Sequence, residues 1–119
     1  MAKILVVDDS STVRNEVSSF LASHGIDVDT AVDGVDGLAK INKDANLKLV
    51  ICDVNMPNMD GLTMVEKVKE SGKTVPIIML TTESNPSMKQ RGKDAGVKGW
   101  IVKPFNGAAA IEGIKKLIS

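Results

Sequence analysis

Three aspartates and one lysine follow apolar runs of the sequence, and these side chains are of the kind that bind metals and phosphates. Asp8 and Asp9 end the first run, Asp53 ends the second, and Lys103 ends the third. If the carboxylates meet, each pair at ~4 Å costs about 4 kcal/mol at an effective dielectric of about 20. Protonation or a divalent cation can offset that repulsion, and ligation by oxygen alone favours Mg²⁺ over zinc.

The same residues suit phosphoryl transfer, which needs in-line positioning and neutralised oxygens more than proton transfer. Asp53 is the candidate nucleophile, and Asp8 and Asp9 are candidates for holding the metal. Lys103 could bind one phosphoryl oxygen as a point charge, and Thr81 could donate its hydroxyl to another. Taken singly, each residue also has an ordinary structural explanation: Asp9 as a helix cap, Thr81 as a strand end and Lys103 as a solvated lysine. Jointly, their positions predict Asp53, Thr81 and Lys103 as the reacting groups.

These side chains must be positioned by the strands that they follow. Continuous apolar runs predict buried parallel strands, whereas alternating apolar and polar residues predict a half-exposed strand at a sheet edge. The continuous runs lie at residues 4–7, 49–52, 77–80 and 100–102, and the alternating pattern lies at residues 26–32.

Apolar residues at helical spacing follow each strand, so the chain reads as five βα repeats. Ser10 or Ser11 can cap the first helix, and Asn85 followed by Pro86 marks the start of the fourth. Strands alternating with helices predict an α/β fold, a doubly wound (βα)5 flavodoxin-like parallel sheet with helices on both faces. An edge position for the second strand favours the strand order 2-1-3-4-5. The first and third strands are then neighbours, and the three aspartates converge.

The bulk composition fits one globular domain. The chain has 119 residues, 43% of them apolar, which predicts a single domain over residues 1–119. No apolar run approaches the roughly 18 residues that span a membrane, and no signal peptide is recognisable. The single cysteine, Cys52, is expected to be a buried, reduced thiol. We therefore expect a cytoplasmic monomer that has no membrane or nucleic-acid partner.

Charge is unevenly distributed along a chain whose net charge is zero. Residues 1–83 hold 8 basic and 13 acidic side chains, whereas residues 84–119 hold 7 basic and 2 acidic ones. The acidic excess suits cation binding, and the basic C-terminal third could attract a partner with an acidic patch. A dispersed set of solvated charges would explain the composition equally well.

Several short motifs occur together in one order along the chain. They are Val-Asp-Asp-Ser at 7–10, Cys-Asp-Val-Asn-Met-Pro at 52–57, Asp-Gly at 60–61, Leu-Thr-Thr at 80–82 and Lys-Pro-Phe at 103–105. Each motif is weak alone, but in this order and spacing the sequence resembles the response-regulator receiver family of two-component signalling over essentially its whole length. The resemblance implies a signalling protein rather than an enzyme, apart from its own phosphoryl transfer and slow autodephosphorylation.

The resemblance also implies a role for each motif residue. Asp53 would accept a phosphoryl group from a phosphohistidine on a sensor histidine kinase similar to CheA, and Thr81 and Lys103 would contact that group. The Lys103 to Pro104 peptide bond is expected to be cis. The implied Mg²⁺ ligands are Asp9 and Asp53 directly, Asp8 through water, and Asn55 through its backbone carbonyl.

Among receivers, the chain is most similar to single-domain chemotaxis members. Asn55 and Glu83 occupy positions that tune dephosphorylation in the family. The resemblance implies a flagellar switch protein, or another output protein with an acidic patch, as the partner, together with a phosphatase. A receiver that acts only as a phosphate sink or a phosphorelay intermediate is the alternative.

Trp100 departs from the family pattern, which usually places a tyrosine or phenylalanine at this position. The indole ring is larger, and its N–H group is only a donor. Two interpretations are open: Trp100 is a rotamer switch coupled to Thr81, or it is an aromatic residue on a partner-binding face. The predicted partner surface comprises the fourth helix, the fifth strand and the fifth helix, with Trp100, Lys89, Arg91, Lys93, Lys98, Lys115 and Lys116.

Two other classes of protein fit the sequence less well. An aspartate-nucleophile phosphatase needs a second acid two residues after the nucleophile, and Asn55 occupies that position. A flavin-binding protein would need a neutral phosphate loop after the first strand, where Asp8 and Asp9 would repel a phosphate.

Overall fold

The computed structural model describes residues 3–119, and this part of the chain forms five parallel strands that alternate with five helices. The predicted strand order is confirmed, because the sheet runs β2-β1-β3-β4-β5. The strands are β1 (Lys3–Val7), β2 (Asp27–Ala31), β3 (Leu47–Cys52), β4 (Ile77–Thr81) and β5 (Gly99–Val102). The helices are α1 (Ser11–Ala22), α2 (Gly34–Lys43), α3 (Gly61–Glu70), α4 (Pro86–Asp94) and α5 (Gly107–Ile118).

The sheet separates two apolar cores. Successive side chains of a strand point to opposite faces, so Leu5 and Val7 enter one core while Ile4 and Val6 enter the other. Helices α2, α3 and α4 cover the first core, and α1 and α5 cover the second. The residues of the predicted continuous runs at 4–7, 49–52 and 77–80 are therefore buried on both faces of the sheet, as predicted.

Both edge strands are less buried than the centre of the sheet. The edge position predicted for β2 is confirmed, since β2 pairs only with β1. The prediction that residues 100–102 form a buried strand is wrong: Trp100 and Ile101 are half-buried, and Val102 is 47% exposed. The reason is that β5 is the opposite edge, paired with β4 alone. An apolar run of this length does not distinguish a covered edge from a central strand.

Each helix follows a strand through a loop and begins with a polar side chain that caps its free N–H groups. Ser10, one of the two predicted caps, accepts a hydrogen bond from Val13 N at 3.3 Å. Pro86 occupies the first turn of α4, as predicted. Such caps stabilise helices by about 1 kcal/mol each and fix where the preceding loops end. The other caps are Asp33, Asp60, Asn85 and Asn106.

Cys52 is the buried free thiol that the sequence predicted. Burial raises the pKa of this thiol well above its ordinary value, as do the charges of Asp53 and Asp8. Its Sγ contacts the backbone carbonyl of Asp53 at 3.1 Å. Within residues 3–119, none of the helices is of sufficient length and apolar character to span a bilayer.

Candidate functional site

The predicted convergence of the three aspartates is confirmed. Val7 lies opposite Cys52 in the parallel ladder, so the residues after them leave the sheet side by side. Asp53 N donates to Val7 O at 3.0 Å, which fixes the end of β3 against β1. One carboxylate oxygen from each of Asp8, Asp9 and Asp53 lies within 4.8 Å of the others. Asp8 and Asp53 are buried, and Asp9 is exposed.

Lys103 supplies the positive charge nearest to this cluster. Its Nζ lies 2.9 Å from Asp53 Oδ2 and 3.0 Å from Asp8 Oδ2. The side chain reaches the cluster because Lys103 N donates to Thr81 O at 2.9 Å, next to the end of β5. The peptide bond between Lys103 and Pro104 is cis, as the resemblance implied. One ammonium group therefore bridges the two buried carboxylates.

Burial dominates the electrostatics of Asp8. It raises the pKa of the carboxyl, and the neighbouring charge of Asp53 adds to that effect. The Ser10 N–H at 2.8 Å and the Lys103 ammonium lower the pKa without cancelling the cost of burial. For Lys103, burial lowers the pKa, but the hydrogen bonds to Asp53 and Asp8 outweigh it and the pKa is raised. The Lys103 ammonium is therefore stabilised in its charged form, whereas desolvation disfavours the charged form of the Asp8 carboxyl.

Asp8 is expected to make the stability of the metal-free protein depend on pH. Its pKa in the folded state lies above the ordinary 3.8, so the folded state binds a proton that the unfolded state has already released. The contribution of Asp8 to the free energy of unfolding therefore falls as pH rises from about 3.8 through the raised pKa. Urea unfolding of the wild type in the presence of a chelator, measured at several pH values from about 3.8 upward, should show this fall in the free energy of unfolding. The Asp8→Asn variant should lack that component, and equal slopes would contradict the prediction.

The cluster fits a hard divalent cation. Three carboxyl groups face one ammonium group here, so acidic groups outnumber basic ones at this edge of the sheet. All of the acidic groups offer oxygen, which Mg²⁺ and Ca²⁺ prefer over nitrogen and sulfur. The exposed Asp9 carboxylate lies on the solvent side, where a hydrated ion could enter. Asp8, Asp9 and Asp53 therefore form an acidic pocket suited to such an ion.

The remaining predicted site residues lie around this pocket. Thr81 is fully buried at the end of β4, and its Oγ1 accepts a hydrogen bond from Glu83 N at 3.1 Å. Asn55 is exposed in the loop between β3 and α3, two residues beyond Asp53. Glu83 is half-buried, and its Oε1 accepts from Asn85 N at 3.2 Å. The roles assigned to these residues stay predictions.

Trp100 is connected to the same loop as Thr81. Its indole Nε1–H donates to the backbone carbonyl of Glu83 at 2.8 Å, and the side chain is half-buried. The ring packs beside α4, where a Cβ on Gly92 would lie 3.1 Å from it. The peptide groups of Glu83 thus contact Thr81 on one side and Trp100 on the other. This connection is compatible with both interpretations of Trp100, and the choice between them stays open.

The predicted basic surface is less uniform than the sequence suggested. Lys89, Lys93 and Lys98 are exposed. Arg91 is also exposed, but it pairs with α3, where its Nη2 and Nε lie 2.7 and 2.9 Å from the two carboxylate oxygens of Glu66. This bidentate contact offsets much of the Arg91 charge, so the lysines carry most of the net positive charge on α4.

Two sets of contacts were not predicted from the sequence. Arg14 on α1 donates to the backbone carbonyl of Asp8 at 2.6 Å, which holds the loop that carries Asp8 and Asp9. Asp33, at the start of α2, accepts a hydrogen bond from the Asn58 side chain at 2.7 Å. The Asp-Gly pair at 33–34 is a recognisable helix start, but no pattern in the sequence indicates its distant partner.

Comparison with known proteins assigns this arrangement to one family. The family model described as response regulator receiver domain matches residues 4–115. The chain belongs to the response regulator receiver family. Its members are signalling proteins rather than classical enzymes, so the phosphatase and flavoprotein alternatives are not favoured.

Receivers from chemotaxis are among the similar proteins. The chain is 44% identical over 106 residues to chemotaxis protein CheY1 of Helicobacter pylori, covering 87% of this chain and 86% of that protein. The structure of chemotaxis protein CheY4 of Vibrio cholerae superposes with a TM-score of 0.89 at 44% identity, covering 98% of both chains. A CheX-CheY-BeF3-Mg²⁺ complex from Borrelia burgdorferi gives a TM-score of 0.92 at 28% identity, covering 99% of this chain and 90% of that one.

Proposed function

We propose that this response regulator accepts a phosphoryl group on Asp53 from a phosphohistidine of a sensor histidine kinase. One observation carries the proposal: Asp53 lies in a cluster with Asp8 and Asp9, and Lys103 Nζ contacts its carboxylate at 2.9 Å. A carboxylate with a neighbouring cation and further acidic ligands is suited to accept a phosphoryl group rather than to transfer protons.

In the proposed transfer, a carboxylate oxygen of Asp53 forms a bond to phosphorus while the bond between phosphorus and the histidine nitrogen breaks. The imidazole leaves with the electron pair of that bond. Lys103, kept protonated by its raised pKa, would contact one phosphoryl oxygen, and the Thr81 hydroxyl would donate to a second. The contact with Glu83 N uses Thr81 Oγ1 only as an acceptor, so the O–H of Thr81 can donate to the phosphoryl oxygen without breaking it.

Mg²⁺ is the proposed cofactor. Asp8, Asp9 and Asp53 would hold it with the backbone carbonyl of Asn55, and the bound ion would neutralise negative charge on the phosphoryl oxygens. The acidic pocket supports this assignment by its excess of negative charge, and the Borrelia burgdorferi complex contains Mg²⁺ and BeF3. The proposed dephosphorylation is slow, and the side chains of Asn55 and Glu83 would tune its rate.

The proposed output is chemotaxis, through a partner whose affinity changes on phosphorylation. The relatives named for chemotaxis support this role, and a kinase of the CheA type is the proposed donor. Phosphorylation replaces the carboxylate charge of Asp53 with the about −1.5 to −2 charges of a phosphoryl group, and the contacts of Thr81 and Trp100 with Glu83 offer a route to α4.

The proposed partner surface combines Trp100 with the exposed lysines of α4 and α5 and with Lys98, just before β5. We propose a flagellar switch protein with an acidic patch as the target, a phosphatase as a second partner, and the cytoplasm as the location. The CheX-CheY complex of Borrelia burgdorferi supports a second binding protein for receivers of this type. A buried thiol such as Cys52 is compatible with a reducing compartment.

Phosphorylation of purified protein tests the function directly. With Mg²⁺ and a small phosphodonor, the wild type should gain one phosphoryl group per chain, detected by intact-mass spectrometry. Asp53→Asn should gain none, because the amide oxygen is a far weaker nucleophile than the carboxylate. The fluorescence of Trp100, the single tryptophan, should change with phosphorylation in the wild type alone.

Asp44→Asn is the matched control, since Asp44 pairs with Lys3 away from the acidic cluster. This variant should be phosphorylated like the wild type. Phosphorylation without Mg²⁺ in the presence of a chelator, or undiminished phosphorylation of Asp53→Asn, would contradict the proposed function.

A further inference from the structure

The N-terminus of α2 is attached to the tip of the loop between β3 and α3. Asp33 is 8% exposed and uses both carboxylate oxygens: Oδ1 accepts from Asp36 N at 2.8 Å, and Oδ2 accepts from Asn58 Nδ2 at 2.7 Å. A second contact lies beside it, where Gly34 N donates to Met59 O at 3.1 Å. We call these two links, Asp33 to Asn58 and Gly34 to Met59, the α2 clamp.

The backbone on both sides of the α2 clamp is adapted to this close approach. Asn58 has φ of +67°, a left-handed conformation that asparagine adopts more readily than most residues. A Cβ on Gly34 would overlap Met59 O, so only glycine fits at the start of α2. Capping of α2 alone needs neither of these features, because the bond from Asp36 N to Asp33 satisfies the helix start.

The α2 clamp holds the middle of the loop between β3 and α3, which the contacts at the two ends of that loop do not reach. The ends are fixed by the hydrogen bond from Gly61 N to Val54 O at 2.8 Å and by the cap of α3, in which Thr63 N donates to Asp60 at 2.8 Å. Asn55 lies between these ends and is exposed. The contacts from α2 to residues 58 and 59 therefore restrict the backbone path on which the Asn55 carbonyl depends.

We propose that Asp33 is a positioning residue for the phosphorylation site, acting through Asn58 to fix the backbone of Asn55. The α2 clamp would thereby set both the affinity of the acidic pocket for Mg²⁺ and the lifetime of phosphorylated Asp53. This proposal rests on the function proposed above. It adds a contribution from α2, an element that provides no side chain to the acidic cluster itself.

Two variants test the proposal together. The first is Asn58→Gly. The second, the exchanged pair, combines Asp33→Asn with Asn58→Asp. Asn58→Gly removes the amide, permits the positive φ and leaves the charge unchanged. The exchanged pair keeps the net charge, the cap of α2 and one hydrogen bond between residues 33 and 58, with donor and acceptor reversed. One net hydrogen bond corresponds to about a fivefold change in an equilibrium constant.

Calorimetric titration with Mg²⁺ alone should show Asn58→Gly binding about fivefold to tenfold more weakly than the wild type. At saturating Mg²⁺, the half-life of its phosphorylated form should differ from the wild type by about threefold or more. The exchanged pair should return both quantities to within about twofold of the wild type, which loss of stability alone would not explain.

The outcomes separate this proposal from the function on which it rests. If the wild type is not phosphorylated, the proposed function fails. If the wild type is phosphorylated and folded Asn58→Gly matches it in Mg²⁺ affinity and lifetime, the α2 clamp is structural and the positioning role is overturned. The same conclusion holds if Asn58→Gly is impaired but the exchanged pair, folded by circular dichroism, shows no recovery.

Discussion

Lys103→Met is expected to destabilise the protein by about 3 kcal/mol in the absence of divalent cations. The substitution keeps much of the side-chain volume but leaves the carboxylates of Asp8 and Asp53 buried without their shared cation. A buried charge that loses its partner retains its desolvation cost, and the two carboxylates also repel each other. Urea unfolding in a chelator measures the loss.

Mg²⁺ should restore a large part of the stability that Lys103→Met loses, because an ion in the acidic pocket takes over the neutralisation. The matched control is Lys3→Met, which breaks a contact of 2.8 Å with Asp44 at a position where the lysine side chain is 36% exposed. That exposed pair should contribute far less to stability than the Lys103 contacts, with no dependence on Mg²⁺. Equal losses of stability in Lys103→Met and Lys3→Met would show that Lys103 does not neutralise the buried carboxylates more than an exposed lysine would.

Gly61→Ala is expected to have a comparable effect through packing rather than charge. A Cβ at residue 61 would overlap the carbonyl oxygen of Asp53 and lie 3.0 Å from Cys52 Sγ. The backbone between Asp53 and Gly61 would have to open, at the expense of the 2.8 Å bond from Gly61 N to Val54 O. We expect a loss of about 3 kcal/mol, at the upper end for overpacking, and slower phosphorylation of Asp53.

Gly113→Ala is the control for this substitution. Gly113 lies on the exposed side of α5, and a Cβ there meets no atom within 4 Å. Alanine in a helix is favoured over glycine by about 1 kcal/mol, so this variant should gain stability. Thermal unfolding of the two variants makes the comparison, and a neutral Gly61→Ala would show that the loop is more adaptable than its contacts indicate.

The positions of the reacting side chains could be predicted because they depend on strand ends. In a parallel sheet all carboxyl ends meet at one edge, so the apolar runs before Asp8, Asp53 and Lys103 determine where these residues emerge. The alternating pattern at 26–32 identified an edge strand, and that single assignment selected the strand order. Both inferences use short-range patterns that burial imposes directly on the sequence.

Contacts between distant side chains could not be predicted in the same way. Arg91 was predicted on the partner surface and is exposed, but its pairing with Glu66 depends on the spacing of α3 and α4. The exposure of Val102 depends likewise on how far α4 and α5 extend over β5. Such details follow from the relative placement of whole helices, which a single sequence does not encode in any local pattern.

The link between Thr81 and Trp100 passes through Glu83 by way of its backbone. The Glu83 N–H donates to Thr81 Oγ1, and the Glu83 carbonyl accepts from the Trp100 indole. Substitution of the Glu83 side chain therefore leaves both hydrogen bonds available. The duration of a signal, if it depends on the side chain, can change during evolution without altering the route by which the signal leaves the site.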